Sequence, residues 1–374
     1  MGIRTIKIKR HILYAGYLLV ITIIALEILL RFFYPFQRKI MGDKWQLATN
    51  STYHLRNVQN RRLDRRVINR RNSIGFRGED PPADINRRLS ILTVGGSTTA
   101  CTALTEGKTW TDRLGEQLRK RFTPVWINNA GLDGNSTYGH LNFLKNYLPA
   151  INFKPTVVIF LIGINEIDRD DLNEIDSPVK KGFLYNTWKW LHYNSETLNF
   201  FTDLKRSIYP TAIFTDNGGW NFTNFKKINL SGIYIDSALQ KQGSLLPSFR
   251  KRLSELIEYC LKNGMQPVFV TQPLIFGDGT FGEGNPAIDF HAFNENENGV
   301  LLWKKLELFN NITRQVSREK NVCCVDLAGL MPRDTLYYYD SMHYTNEGAA
   351  KVGEIIFDKL NQYLSVKFPQ YLKN

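Results

Sequence analysis

The chain has 374 residues, enough for one large domain with appendages or for two domains, and its 43% hydrophobic content is that of a globular protein. A net charge of +13 calls for an anionic neighbour such as lipid headgroups, acidic polysaccharide or nucleic acid, and it carries no information about fold. Cys101, Cys260, Cys323 and Cys324 form no C-x-x-C, and the histidines form no H-x-H or H-E-x-x-H, so a structural zinc site is not expected.

Residues 1–11 carry Arg4, Lys7, Lys9 and Arg10 with no acid, and read as a basic tail. Ile12 to Leu30 is a nearly unbroken apolar run; as a helix it would measure roughly 28 Å, enough to cross a bilayer core. Its one charge, Glu27, stands four residues before Arg31, where the two can pair. Bulky Arg31, Phe32, Phe33 and Tyr34 follow where a signal peptidase would need small residues, so residues 12–33 read as an uncleaved transmembrane anchor. The positive-inside rule then puts the N-terminus in the cytoplasm and the rest of the chain outside, as a single-pass membrane protein, although Arg38, Lys39 and Lys44 weaken the asymmetry.

Residues 34–88 form a basic juxtamembrane segment with little periodicity, rich in arginine from Arg56 to Arg88. It reads either as a strip lying along an acidic surface or as a solvated linker. With no nucleic-acid module beside it, nucleic acid is not an expected partner.

From Leu89 onward, apolar runs of strand length alternate with amphipathic stretches of helix length. Strands are expected at Leu89–Val94, Val125–Asn129, Val157–Ile162, Pro267–Thr271 and Val322–Leu327, and helices at Thr109–Phe122, Thr137–Leu148, Leu246–Asn263, Gly299–Lys320 and Asn346–Leu364. Near-continuous apolar strands separated by helices imply a doubly wound α/β domain, a parallel five-stranded sheet with helices on both faces. In such sheets ligands bind beyond the carboxyl ends of the strands. Cys323 and Cys324, adjacent in the last strand, point to opposite faces, and pairing of Cys260 with either stays open.

Two insertions interrupt the alternation. Residues 168–244 hold Phe183, Tyr185, Trp188, Trp190, Tyr193, Phe200, Phe201, Tyr209, Phe214, Trp220, Phe222, Phe225 and Tyr234. They read as a cap that shapes a substrate groove, or as rings that build the cap's own small core. Residues 274–298, with four glycines among Asp278, Glu283 and Asp289, read as a mobile loop over the strand ends; the spacing matches no EF-hand loop. Residues 365–374 are a tail.

Four polar signals fall after expected strands. Gly95-Gly96-Ser97-Thr98 ends the first strand: two glycines permit a sharp turn, and the N–H groups that open the next helix favour developing negative charge. Alone, this is equally a glycine turn with a helix-capping serine. Asp340-Ser341-Met342-His343 supplies an acid three residues before a histidine, able to hold one ring nitrogen while the other takes a proton from a hydroxyl. Asn129-Ala130-Gly131-Leu132-Asp133-Gly134 and Gly163-Ile164-Asn165-Glu166 follow the second and third strands.

Taken together these blocks resemble the SGNH/GDSL hydrolase superfamily, in the family's order, over roughly residues 89–364. The resemblance implies a flavodoxin-like fold and a carboxylic ester hydrolase. It further implies Ser97 as nucleophile, His343 as general base, Asp340 as its orienting acid, and an oxyanion hole made by Ser97, Gly134 and Asn165. No metal or organic cofactor is implied. Gly96 stands in place of the Asp of the GDS block and Glu166 in place of the Asp of the G-x-N-D block; both flank the functional atoms. Asn72-Ser73-Ile74-Gly75-Phe76-Arg77-Gly78 resembles a lead-in found before the first block in membrane-anchored relatives. The expected substrate is an acyl, in the first place acetyl, ester on extracytoplasmic carbohydrate, with a lipid ester second. Transfer of the acyl group to a sugar, and a non-catalytic carbohydrate-binding or assembly role, are the alternatives. Gly107-Lys108-Thr109 ends like a P-loop but has Thr102 where that motif needs glycine, and no G-x-S-x-G exists for an α/β-hydrolase elbow.

Overall fold

A computed structural model of the protein describes residues 2–33, 35, 40–42, 45–57, 62–169, 187, 190–191, 194–208, 222, 224–279 and 286–373. In chain order its principal elements are α1 (Gly2–Phe32), the hairpin strands β1 (Ser51–Arg56) and β2 (Arg66–Arg71), then β3 (Leu89–Gly95), α2 (Trp110–Arg121), β4 (Val125–Asn129), α3 (Thr137–Asn142) and β5 (Val157–Ile162). After these come α4 (Glu196–Ile208), α5 (Leu246–Lys262), β6 (Gln266–Thr271), α6 (Gly299–Glu319), β7 (Cys323–Val325) and α7 (Asn346–Lys367). The chain forms two compact units, residues 1–39 with 179–211, and residues 40–178 with 212–374.

The larger unit is built on one parallel sheet in the order β7-β6-β5-β3-β4, which is the doubly wound order 2-1-3-4-5 of its five strands. Every residue of β3, β4 and β5 is buried, which is why these strands read as apolar runs rather than alternating ones. Ile91, Ile159, Val268 and Val270 face one core with Trp110 and Leu114 of α2 and Val352, Ile356 and Leu360 of α7. Leu92, Val94, Phe160 and Phe269 face the other, with Leu253 and Leu256 of α5 and Phe309 of α6. Each fully buried side chain of this size contributes roughly 1.5–3 kcal/mol.

Helix starts follow local chemistry. The Thr109 hydroxyl accepts from the Asp112 N–H while the Asp112 carboxylate accepts from the Thr109 N–H, a capping box that fixes α2. Thr345 caps α7 and Asn298 caps α6 in the same way through their side chains.

Three expectations change. The last strand is Cys323–Val325 rather than Val322–Leu327, because the chain turns at Asp326 into a short helical stretch, Leu327–Leu330. The helix expected over Thr137–Leu148 breaks into α3, a π turn at Phe143–Tyr147 and a short helix at Leu148–Ala150; Pro149 has no N–H to continue the ladder. The arginine-rich stretch is no featureless linker: β1 and β2 pair antiparallel from Ser51↔Arg71 to Arg56↔Arg66, with Leu55 and Val67 paired and buried while Arg56, Arg66 and Arg70 stay exposed.

In the smaller unit α1 packs on α4. Leu13–Phe32 is long and apolar enough to cross a membrane, and nearly all of it is unburied. The described rings of the first insertion divide: Trp190, Phe200 and Phe201 belong with α1, while Phe222, Phe225 and Tyr234 belong with the sheet. Phe183, Tyr185, Trp188, Tyr193, Tyr209, Phe214 and Trp220 lie outside the described residues, as do Tyr34, Arg38, Lys39, Lys44 and Glu283. The described ends of the second insertion are packed: Leu274, Ile275, Phe276 and Ile288 are buried, and Asp289 accepts from the N–H groups of Gly277 (2.8 Å) and Gly279 (3.3 Å). All four cysteines are free.

Candidate active site

Ser97 opens a short helical stretch, Ser97–Ala100, immediately beyond β3, with Gly96 as the extended residue before it. A side chain at Gly96 would run into the Asn165 amide, so the glycine in this block is required by the close approach of the segment after β5. The turn hands the Ser97 hydroxyl to the loop that precedes α7. There His343 Nε2 lies 2.7 Å from Ser97 Oγ, and His343 Nδ1 lies 2.7 Å from Asp340 Oδ2.

Asp340 is further fixed by the backbone. Its other oxygen accepts from the N–H groups of Met342 (2.9 Å) and His343 (2.7 Å), a small turn that explains the three-residue spacing. Burial opposes charge on both partners, yet the hydrogen bond between them prevails: it holds Asp340 below the ordinary carboxylate value and His343 above the ordinary imidazole value. The Tyr339 ring stacks on the imidazole at 5.6 Å between centroids.

The two remaining predicted positions border Ser97. Gly134 has φ +73°, the left-handed region that glycine adopts without strain, and neither its N–H nor that of Ser97 has a partner among the described residues. Asn165 donates one amide hydrogen to the Asn135 carbonyl at 2.9 Å, which leaves its second hydrogen available. The structure therefore brings Ser97, Gly134, Asn165, Asp340 and His343 to the carboxyl edge of the sheet.

Glu166 behaves differently from its neighbour. It is 1% exposed and accepts from the Thr137 N–H (2.6 Å), the Thr137 hydroxyl (3.1 Å) and Arg252 Nη2 (2.8 Å). Arg252 also donates to the Thr137 and Ser248 hydroxyls and lies 3.9 Å over the Tyr138 ring. This ties the segment carrying Asn165 to the start of α3, just after Gly134. Sequence reasoning missed Arg252, because it sits in α5 with nothing local to distinguish it from a surface charge.

The stretch Asn72–Gly78, which the sequence marks as a lead-in to the first block, supports the site through contacts that the sequence does not show. The Asn72 carboxamide accepts from the N–H groups of Ile74 and Phe76 and donates to Asn128. Buried Arg77 donates to Glu106 and to the carbonyls of Ala100, Cys101 and Leu104. It thus clamps the loop that leaves Ser97.

A parallel doubly wound sheet carrying a hydroxyl, an imidazole and a carboxylate in hydrogen-bonded sequence at its carboxyl edge defines the class, a carboxylic ester hydrolase. The GDSL-like Lipase/Acylhydrolase family model matches residues 93–180, a minority of the chain, and over that stretch the chain is similar to that family. The matched region holds Ser97, Gly134 and Asn165 and stops before Asp340 and His343. Solved structures similar to the chain include a lipolytic protein of the G-D-S-L family from Desulfitobacterium hafniense DCB-2, at 12% identity and TM-score 0.39, covering 72% of this chain and 99% of that one. Another is the lipase/acylhydrolase from Enterococcus faecalis, at 14% identity and TM-score 0.40, covering 76% and 97%. A catalytic mutant of the acetylxylan esterase Axe2 from Geobacillus stearothermophilus follows at 15% identity and TM-score 0.38, covering 72% and 93%. No curated protein sequence matches the chain.

Proposed function

We propose that the chain is a membrane-anchored serine esterase that removes acyl groups, in the first place acetyl, from extracytoplasmic carbohydrate. The observation that carries the reading is the chain of two 2.7 Å hydrogen bonds from Ser97 through His343 to Asp340. His343 takes the Ser97 proton as the hydroxyl attacks the ester carbonyl, and Asp340 keeps the ring in the required tautomer and stabilises the imidazolium. The tetrahedral oxyanion is met by the N–H groups of Ser97 and Gly134 and the Asn165 amide. His343 returns the proton to the leaving alcohol, an acyl-Ser97 ester remains, and water activated by the same imidazole releases the acid.

The support for a carbohydrate is chemical. A net charge of +13 suits an anionic polymer, and beside Ser97 the Asn165 amide bonds the Asn135 carbonyl while Arg169 donates to the Gly134 carbonyl at 3.4 Å, a polar edge to the site. The apolar helix favours a second reading, a lipid ester, because a span at Leu13–Phe32 would tether the hydrolase unit to a membrane. In this reading residues 1–11 lie in the cytoplasm, 12–33 span, and 34–88 connect to a hydrolase domain over 89–364.

The test is ester hydrolysis by the full chain in detergent micelles, comparing acetyl with longer acyl esters and adding a carbohydrate acceptor in a parallel reaction. Acetyl-selective release abolished by Ser97→Ala supports the proposal. Preference for long chains supports the lipid reading, and acyl-carbohydrate formation in place of free acid supports transfer. Equal, negligible turnover by both proteins, with folding checked, overturns the enzymatic role of Ser97.

A further inference from the structure

The aromatic insertion meets α1 at a charged residue. Glu27 stands five residues before the end of the apolar span, about 7.5 Å below it at 1.5 Å per residue. Its carboxylate accepts from the Ser195 hydroxyl, the Glu196 N–H and the Thr197 N–H, each at 3.0 Å, and from Arg31 at 3.4 Å. Those two N–H groups are the first of α4. The other two are also satisfied, Leu198 N–H by the Ser195 hydroxyl at 3.2 Å and the N–H of the cap residue Ser195 by the Leu191 carbonyl at 2.9 Å. All four N–H groups that a helix start ordinarily leaves to water have protein acceptors, which is what a helix start inside a bilayer requires.

The side chains agree with that placement. Trp190, Leu191 and Phe201 are 62%, 44% and 55% exposed, and Phe32 and Phe33 at the end of α1 are 77% and 75% exposed. Leu30 is the buried side chain among those described in α1, on the stretch that meets α4. Exposed apolar side chains thus occur on both the span and the insertion.

We infer that Glu27 is a clasp that holds α4 and the helical residues Trp190 and Leu191 in the membrane, so that this part of the insertion embeds at the headgroup–acyl boundary of the leaflet containing the C-terminal end of α1. The occupant of the exposed face is lipid. A carboxylate at that depth is costly unless fully hydrogen-bonded, and a helix start at that depth is costly unless capped; each group removes the penalty of the other. The inference rests on the anchor reading of α1.

The experiment places the photocrosslinker p-benzoylphenylalanine at position 201, and in a separate sample at position 21 of α1. Each full-length protein is reconstituted in nanodiscs of phosphatidylethanolamine and phosphatidylglycerol, and adducts are identified by mass spectrometry. Lipid adducts at both positions, with Glu27→Ala lowering the yield at 201 about fivefold while leaving 21 unchanged, support the clasp. Lipid adducts at 21 with none at 201, or only protein adducts at 201, overturn the inference and leave the anchor standing. Absence of lipid at 21 overturns the anchor and the inference with it.

Discussion

Two buried carboxylates at the same sheet edge show what separates a reactive pair from a structural one. Glu166 and Arg252 are 1% and 5% exposed, and three hydrogen bonds and a ring face close around the guanidinium. Asp340 and His343 make an equally short contact, but the imidazole keeps a second nitrogen, which lies on Ser97 rather than on another fixed partner. The first pair has nowhere to send a proton. On the proposed mechanism the second is a relay whose far end is the Ser97 hydroxyl.

The comparison breaks most visibly at Ser97. Ser97→Ala should lower kcat for ester hydrolysis by about 10⁴-fold or more with an unchanged melting temperature, measured by steady-state kinetics and calorimetry. Asp340→Asn should lower kcat by about 10⁴-fold and also move the pH profile. His343 must be neutral to accept the Ser97 proton, and Asp340 holds its pKa above the ordinary value of 6.5. Activity of the wild-type chain should therefore rise with pH through a midpoint above 6.5, and the residual activity of the asparagine variant should rise through a lower one. Asn165→Ala should cost about 100–1000-fold in kcat, as the loss of one oxyanion donor does elsewhere.

Arg252→Met should reverse the pattern. Leaving Glu166 buried without its partner should destabilise the fold by about 3–5 kcal/mol in denaturant titrations, with kcat falling only as far as Asn165 and Gly134 shift. A smaller effect sharpens the same point at His140, whose buried ring nitrogens both lack partners among the described residues and whose pKa burial pushes down to about 3. It is a neutral core ring stacked on Phe160, so His140→Phe should change stability by no more than about 1.5 kcal/mol.

How much of this was legible in the sequence depended on how local the physics is. The strands β3, β4 and β5 are buried on both faces, so their composition alone marked them. Asp340 and His343 bond across three residues and could be read as a unit. Glu27 and Arg31, one helical turn apart, pair as their spacing predicts. Arg252, by contrast, meets Glu166 across 86 positions, and Arg77 reaches Ala100, Cys101 and Leu104 from a stretch whose arginines looked alike. Charge reads as solvated until its partner is seen. The β1–β2 hairpin escaped notice for a related reason: the inward row includes Asn69, whose amide bonds the Thr102 carbonyl, so a polar residue interrupts the apolar alternation.

The most direct test of the central claim is to treat the full chain with a fluorophosphonate and locate the adduct by peptide mass spectrometry. The account predicts stoichiometric labelling of Ser97, slowed by about 10³-fold or more in His343→Ala, because the hydroxyl is nucleophilic only with its base in place. Labelling of a different residue, or labelling of Ser97 at the same rate without His343, would contradict it.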